Sequence, residues 1–318
     1  MAEIRLEENK SKFKDLINVL SGKYPFTTYV IEKDYYLIKL LTAIEEFCQD
    51  RLVFKGGTAL NKVFLGYYRM SEDLDFINII EKPLATRKER SKAIDFLRDV
   101  LDEICKKSNL MCKDKHGKGA NQSTQYFFNF GYESIITNTK GTLTLEVSQR
   151  NNPILQPQKK SIDHIFKDPF TGEYLFPAGT VLCLEFKELI AEKTRAMITR
   201  KEVASRDLFD LQYLYDAKFN FFDKDYIKLL KQKLREDSFS DDLPCYRRNF
   251  GRSNEEIARL KGKIEAELFP VISPKQAEEF DADKTLNLFN SIFEKMIKDH
   301  IIFAANTHFS LADEGLIK

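Results

Sequence analysis

Two carboxylates with one apolar residue between them, Asp73 and Asp75 around Leu74, follow a Gly56-Gly57-Thr58 triplet in this 318-residue chain. In an extended strand, residues i and i+2 project from the same face, so the two carboxylates converge while Leu74 points to the core. Such a pair offers hard oxygen ligands suited to Mg²⁺, which usually arrives on a nucleotide's phosphates. The glycine pair lets backbone amides approach an anion closely, and a helix starting near Thr58 aims its positive end at phosphate. Fourteen residues separate Thr58 from Asp73. That length suffices for a helix of about two to three turns and a return to an adjacent strand. Each half alone is common, since glycine pairs mostly make tight turns and Asp-x-Asp occurs on solvated strand edges. Together they point to phosphoryl or nucleotidyl transfer. Neither G-x-x-x-x-G-K-[ST] nor G-x-G-x-x-G occurs, so the phosphate site is of neither common kind.

A two-ion site calls for a third carboxylate. Glu146, within TLTLEVSQR (142–150), is the best candidate for this metal role, because a charge in mid-strand is costly unless it is used or solvated. The alternative is a solvent-facing strand position shared with Thr142, Thr144 and Ser148. Ser71, just before the carboxylate pair, is a candidate on the nucleotide side; with Arg69 it reads equally as a loop polar group. Further along, Lys187, Lys193, Arg195, Arg200, Lys201 and Arg206 crowd one helix and its exit. Lys193 and Arg200 are seven apart and share a helix face, and Asp207 and Asp210 open the next helix one turn apart. A solvated charged face is the ordinary reading of such a run, and Asp207 could simply cap its helix, worth roughly 0.5–2 kcal/mol. Nucleotide chemistry nevertheless needs cations where charge builds on the phosphoryl oxygens, and Lys193 and Arg195 are placed in that role. Glu32-Lys33-Asp34 reads as a charged turn at a helix start.

Several elements must position these groups. Amphipathic helices are expected over 3–20 and 31–48, the latter with Ile31, Tyr35, Ile38, Leu41 and Ile44 near helical spacing. Residues 52–57 read as a strand ending in the glycine turn, 58–67 as a helix and 74–80 as a second strand. Residues 86–108 look helical. QYFFNFGYE (125–133) and 142–150 alternate like neighbouring antiparallel strands joined through 135–140. Prolines 153, 157, 169 and 177 punctuate a loop-rich connection over 151–180. The segment 181–200 begins apolar and becomes a long helix, 206–217 is another, and 235–256 reads as a long loop carrying Arg247, Arg248 and Arg252. The expected layout is a domain over 1–180 with N-terminal helices, then a helical domain over 181–318.

Composition is that of a globular protein, with 43% hydrophobic residues. Fifty basic and 49 acidic residues leave a net charge of +1, so any nucleic-acid contact must come from basic residues gathered locally. Five scattered cysteines without a C-x-x-C pair favour reduced thiols over disulfides or structural zinc, and the four histidines are equally dispersed. The charged N-terminus lacks the apolar region of a secretory signal, and no apolar run approaches the ~18 residues that span a bilayer. A cytoplasmic location without membrane association is expected.

Taken in order, IEKDYYLIKLL (31–41), FKGGTALNKVF (54–64), YRMSEDLDF (68–76), LTLEVSQR (143–150) and the stretch from Leu184 to Leu214 resemble the AbiEii family. These are bacterial abortive-infection nucleotidyltransferase toxins of the DNA polymerase β-like superfamily. The resemblance spans about residues 31 to 215. It implies an α+β fold, a polymerase-β-like core with a mixed sheet flanked by helices plus a C-terminal helical region. It further implies Mg²⁺-dependent use of an NTP, with Gly57 and Thr58 in the phosphate-holding turn and Asp73 and Asp75 as metal carboxylates. Lys193, Asp207 and Asp210 match its other essential groups. Members modify RNA, notably tRNA 3′ ends, and pair with a transcriptional-repressor antitoxin in phage defence. Two rivals stand beside this reading: the same core acting on a protein or small molecule, and a nucleotide-binding module without catalysis. Retention of both Asp73 and Asp75 argues against the second.

Overall fold

Side-chain caps start the helices that carry the first half of the chain. Asn9 accepts the Lys12 amide at 3.1 Å and opens α1 (Lys10–Lys23), and Thr27 accepts the Val30 amide and opens α2 (Thr28–Cys48). The computed structural model describes residues 5–313 apart from 169, 178, 201, 250 and 251, with side chains described through residue 298. Ile31, Tyr35, Ile38, Leu41 and Ile44 are all fully buried along α2, as their helical spacing requires. After α2 come β1 (Leu52–Lys55), α3 (Gly56–Ala59) and β2 (Asp73–Asn78). The helix after the glycine turn thus begins at Gly56, and it continues as a π-helical stretch over Leu60–Leu65 that stops at Gly66.

Three short helices, α4 (Arg87–Lys92), α5 (Asp95–Asp99) and α6 (Leu101–Ser108), replace the single helix expected over 86–108. The breaks fall at Ala93–Ile94 and at β-branched Val100, which takes φ −104° and ψ 4°. Six further strands follow: β3 (Met111–Cys112), β4 (Lys118–Ala120), β5 (Gln125–Glu133), β6 (Lys140–Ser148), β7 (Gln158–Ser161) and β8 (Thr180–Cys183). The sheet runs β3-β5-β6-β2-β1-β8-β7, with β4 also on β5. It is mixed, because β2 pairs with β6 and β1 with β8 in parallel while the other ladders are antiparallel.

One sheet face is core. Tyr126, Phe128, Phe130, Tyr132, Leu143, Leu145 and Val147 are buried there, and Tyr132 stacks on Tyr36 of α2 with ring centroids 4.2 Å apart. Alternate residues on the opposite face stay half-exposed, and that face carries Asp75 and Glu146. Beneath the glycine turn, Lys62 is wholly buried and bonds Asp34 of α2 at 2.5 Å and the Tyr67 hydroxyl at 3.0 Å. Burial lowers the Lys62 ammonium despite Asp34, so this pair locks helix to helix at an electrostatic cost.

Two units emerge from the contacts: residues up to 189 with 269–277, and 190–268 with 278 onward. The boundary expected between 180 and 181 falls inside β8, which extends the sheet beside β1. The segment 269–277 belongs to the first unit, where the Val271 carbonyl accepts the Met70 amide at 2.6 Å and Gln276 donates to the Tyr68 carbonyl at 3.0 Å. Helix α7 (Phe186–Thr199) begins in the first unit and continues in the second. There α8 (Ser205–Asp216), α9 (Lys224–Glu236), α10 (Asn254–Lys263) and α12 (Ala282–Asp313) follow, with α11 (Pro274–Glu279) preceding α12. Tyr226 of α9, fully buried, donates its hydroxyl to Thr194 at 2.6 Å. The long loop expected over 235–256 is largely structured: α9 reaches Glu236, Leu243–Asn249 form a 3₁₀ helix, and a Ser253–Glu256 capping box opens α10. Among the described residues no helix is long and apolar enough to cross a membrane.

Candidate active site

Asp75 is lodged against the glycine turn. Gly56 takes φ +76°, a conformation side chains rarely adopt, and a Cβ there would collide with the Asp75 carboxylate. Glycine is therefore required at 56 for two separate reasons. At Gly57 the space of a Cβ is filled by Arg69, whose guanidinium would lie 2.5 Å from it. Arg69 is a buried residue, not a solvated loop group, and its Nη1 donates to the Met70 carbonyl at 2.8 Å. Thr58 is fully buried, with its hydroxyl donating to the Asp73 carbonyl and paired with Ser71 Oγ at 2.7 Å. The side chains of Thr58 and Ser71 thus tie the turn to the start of β2, and the groups of this turn suited to phosphate are backbone amides. Replacing Gly56 with Ala is expected to destabilise the chain by about 1–3 kcal/mol and to displace the Asp75 carboxylate. Thermal unfolding and nucleotide titration of the Gly56→Ala protein check this; native stability would show that the turn tolerates a side chain.

Asp73 and Asp75 lie on one face of β2, with Leu74 fully buried between them. The β2–β6 ladder sets Asp75 opposite Glu146 and Asp73 opposite Thr144. Glu146 therefore projects from the carboxylate face, one strand over, where Gln125 Nε2 donates to its Oε1 at 2.7 Å. Among the described residues no three His, Cys, Asp or Glu side chains are gathered closely enough to hold an ion together. Asp73 and Asp75 fit a hard divalent cation by donor chemistry and by sharing a face beside the turn, and Glu146 is adjacent to them.

In the second unit, Lys193 of α7 reaches Asp207 at 2.8 Å and Asp210 at 2.5 Å, both on α8, and Arg200 bonds the other Asp207 oxygen at 2.7 Å. Asp210 is fully buried. Asp207 does not cap α8, which starts at Ser205 after Ala204; it serves as a bridge between two cations. Arg195 is not part of this cluster. Two residues from Lys193, it points about 200° around the helix and pairs with Asp237 at 2.7 Å. Arg206 donates to the Glu267 carbonyl at 2.9 Å, and Arg247 bonds Glu294 at 2.9 and 3.1 Å. Lys201 lies outside the described residues.

Glu32, Lys33 and Asp34 do not form a turn, because α2 starts at Thr28, capped by Thr27, three residues earlier than expected. Glu32 is fully buried and accepts from Ser134 Oγ at 2.5 Å and the Ile135 amide at 2.7 Å; burial nonetheless raises its carboxyl above the ordinary range. Lys33 bonds Glu72, the neighbour of Asp73, at 3.0 Å. Sequence reasoning missed these anchors and the buried Arg69. Three consecutive charges near a helix start carry no signal that they point to three partners.

Comparison with known proteins follows the same lines. The family model described as nucleotidyl transferase AbiEii toxin, type IV TA system, matches residues 39–305. Among solved structures, MenT4, a nucleotidyltransferase toxin of Mycobacterium tuberculosis, is similar at a TM-score of 0.53 and 16% identity, over 89% of this chain and 98% of that one. JHP933 of Helicobacter pylori is similar at a TM-score of 0.50 and 16% identity, over 90% of this chain and 99% of that one. At that identity the likeness concerns the fold. No curated protein matches the chain.

Proposed function

The chain belongs to the AbiEii family of nucleotidyltransferase toxins of type IV toxin–antitoxin systems, and on that premise we propose that it moves a nucleoside monophosphate from an NTP to an RNA 3′ end, with tRNA as the acceptor. The observation that supports this reading is the packing of Asp75 against Gly56, which brings the candidate metal carboxylates beside the glycine turn proposed to hold phosphate. Asp73 and Asp75, with Glu146 beside them, would hold Mg²⁺, which when bound screens the triphosphate and favours attack at the α-phosphorus. The backbone of Gly56, Gly57 and Thr58 orients the triphosphate. Ser71 and Thr58 keep that backbone in register with β2.

In this reading Lys193, which matches an essential group of the family, is proposed to neutralise charge. Asp210, fully buried, orients it, and Asp207, shared with Arg200, completes the clamp. Most of the rate enhancement then comes from positioning and electrostatics. Arg195 and Arg247 are engaged by carboxylates, so support for an RNA acceptor comes from the family resemblance. In the same reading the partner is a transcriptional-repressor antitoxin, and the pair acts in phage defence.

Incubating the purified protein with total RNA, Mg²⁺ and each α-³²P-labelled NTP in turn tests the proposal. Label is expected at RNA 3′ ends with one or two of the four nucleotides, and acceptor binding should weaken steeply with salt. Label found on protein, or a flat salt response, would overturn the RNA acceptor.

A further inference from the structure

The sheet register brings one more charged residue to the carboxylate face. Lys55, the last residue of β1, is the partner of Asp75, and Asp75 is the partner of Glu146. Directly opposed residues project from the same face of a sheet, so β1, β2 and β6 present a row of one cation and two carboxylates. Because β1 and β2 are antiparallel, the end of β1 meets the start of β2. Lys55 therefore stands at the edge that bears Asp73, and the next residue is Gly56, against which Asp75 is packed. It is half-buried, which strengthens its field relative to a solvated lysine.

We propose that Lys55 is a substrate-contacting cation, whose ammonium holds a non-bridging oxygen of the β- or γ-phosphate of the bound NTP. This rests on the nucleotidyl-transfer reading. In that reaction the acceptor hydroxyl oxygen bonds to the α-phosphorus, its proton passes to solvent, and the bond from the α-phosphorus to the β-phosphate oxygen breaks. Pyrophosphate leaves with the electron pair. Negative charge accumulates on the leaving group, and Lys55 is placed to neutralise it, a role distinct from that of the carboxylates. A lysine that only balanced the charge of Asp75 would leave affinity for pyrophosphate unaffected.

Two variants of the full chain, Lys55→Met and Lys55→Arg, separate these roles. Calorimetric titration with magnesium pyrophosphate and with each Mg·NTP needs no acceptor, and label transfer to total RNA gives kcat and KM. Lys55→Met is expected to weaken pyrophosphate and NTP binding together and to lower kcat/KM by roughly 10²-fold, with Lys55→Arg recovering most of both. If Lys55→Met folds and binds pyrophosphate as the unaltered protein does, the proposal is overturned. Should Lys55→Met fail to fold, loss of pyrophosphate binding in a folded Lys55→Arg protein counts against it equally, since the charge is retained. If the unaltered protein binds pyrophosphate through Lys55 yet transfers no label from any NTP, the nucleotidyl-transfer reading fails and the anion site stands.

Discussion

Asp75→Asn is expected to lower nucleotidyl transfer by on the order of 10³-fold or more, while leaving the unfolding temperature nearly unchanged. The substitution is isosteric, so the packing against Gly56 survives, and what is lost is the charge and one acceptor oxygen, replaced by an amide NH₂ donor. Asp75 is half-exposed, the third residue of β2, whose Leu74, Phe76 and Ile77 are buried in the core. Stability therefore depends little on its charge, and chemistry depends on it strongly. Transfer of label from α-³²P-NTP, measured beside thermal unfolding, decides the matter. Undiminished transfer would remove Asp75 from the metal site and the reading with it.

Lys193→Ala is expected to abolish transfer as well, but through a different balance of effects. Here the lysine also neutralises Asp210, which has no exposed surface, and shares Asp207 with Arg200. Removing it leaves a buried carboxylate without its cation, a loss of roughly 3–5 kcal/mol. A plain activity assay would confuse unfolding with chemistry. The double variant Lys193→Ala with Asp210→Asn relieves the uncompensated charge. It should regain much of the stability lost by Lys193→Ala and none of the activity. Recovery of transfer in the double variant would make Lys193 a structural residue.

How much of this was legible beforehand depends on the range of the interaction involved. Residues 125–133 alternate so regularly that β5 was read at its observed bounds, while β6, expected over 142–150, runs two residues earlier, from Lys140 to Ser148. The face shared by Lys193 and Arg200 followed from their seven-residue spacing, and both meet Asp207. In contrast, β7 is Gln-Lys-Lys-Ser, a polar edge strand whose only reason to be a strand is its partner β8. Strand β8 itself was hidden in the apolar start of a helix. Arg195 was grouped with Lys193 by proximity in sequence, whereas helical geometry turns it to Asp237. Thr58 and Ser71 were read as nucleotide groups, and the structure gives their hydroxyls to one another and to the Asp73 carbonyl.

The sequence alone therefore determined the local chemistry: a glycine turn, two carboxylates on one strand face, and Lys193 and Arg200 on one helix face. Backbone periodicity dictates these over a few residues, without reference to the rest of the chain. Only the tertiary structure decided which strands flank β2. That choice set Lys55 and Glu146 on either side of Asp75, while side-chain packing filled the space beside Gly57 with Arg69 and, within the second unit, buried Asp210. Residues 55, 75 and 146 become neighbours through ladder register, and register follows from which faces of distant segments can bury their apolar side chains together.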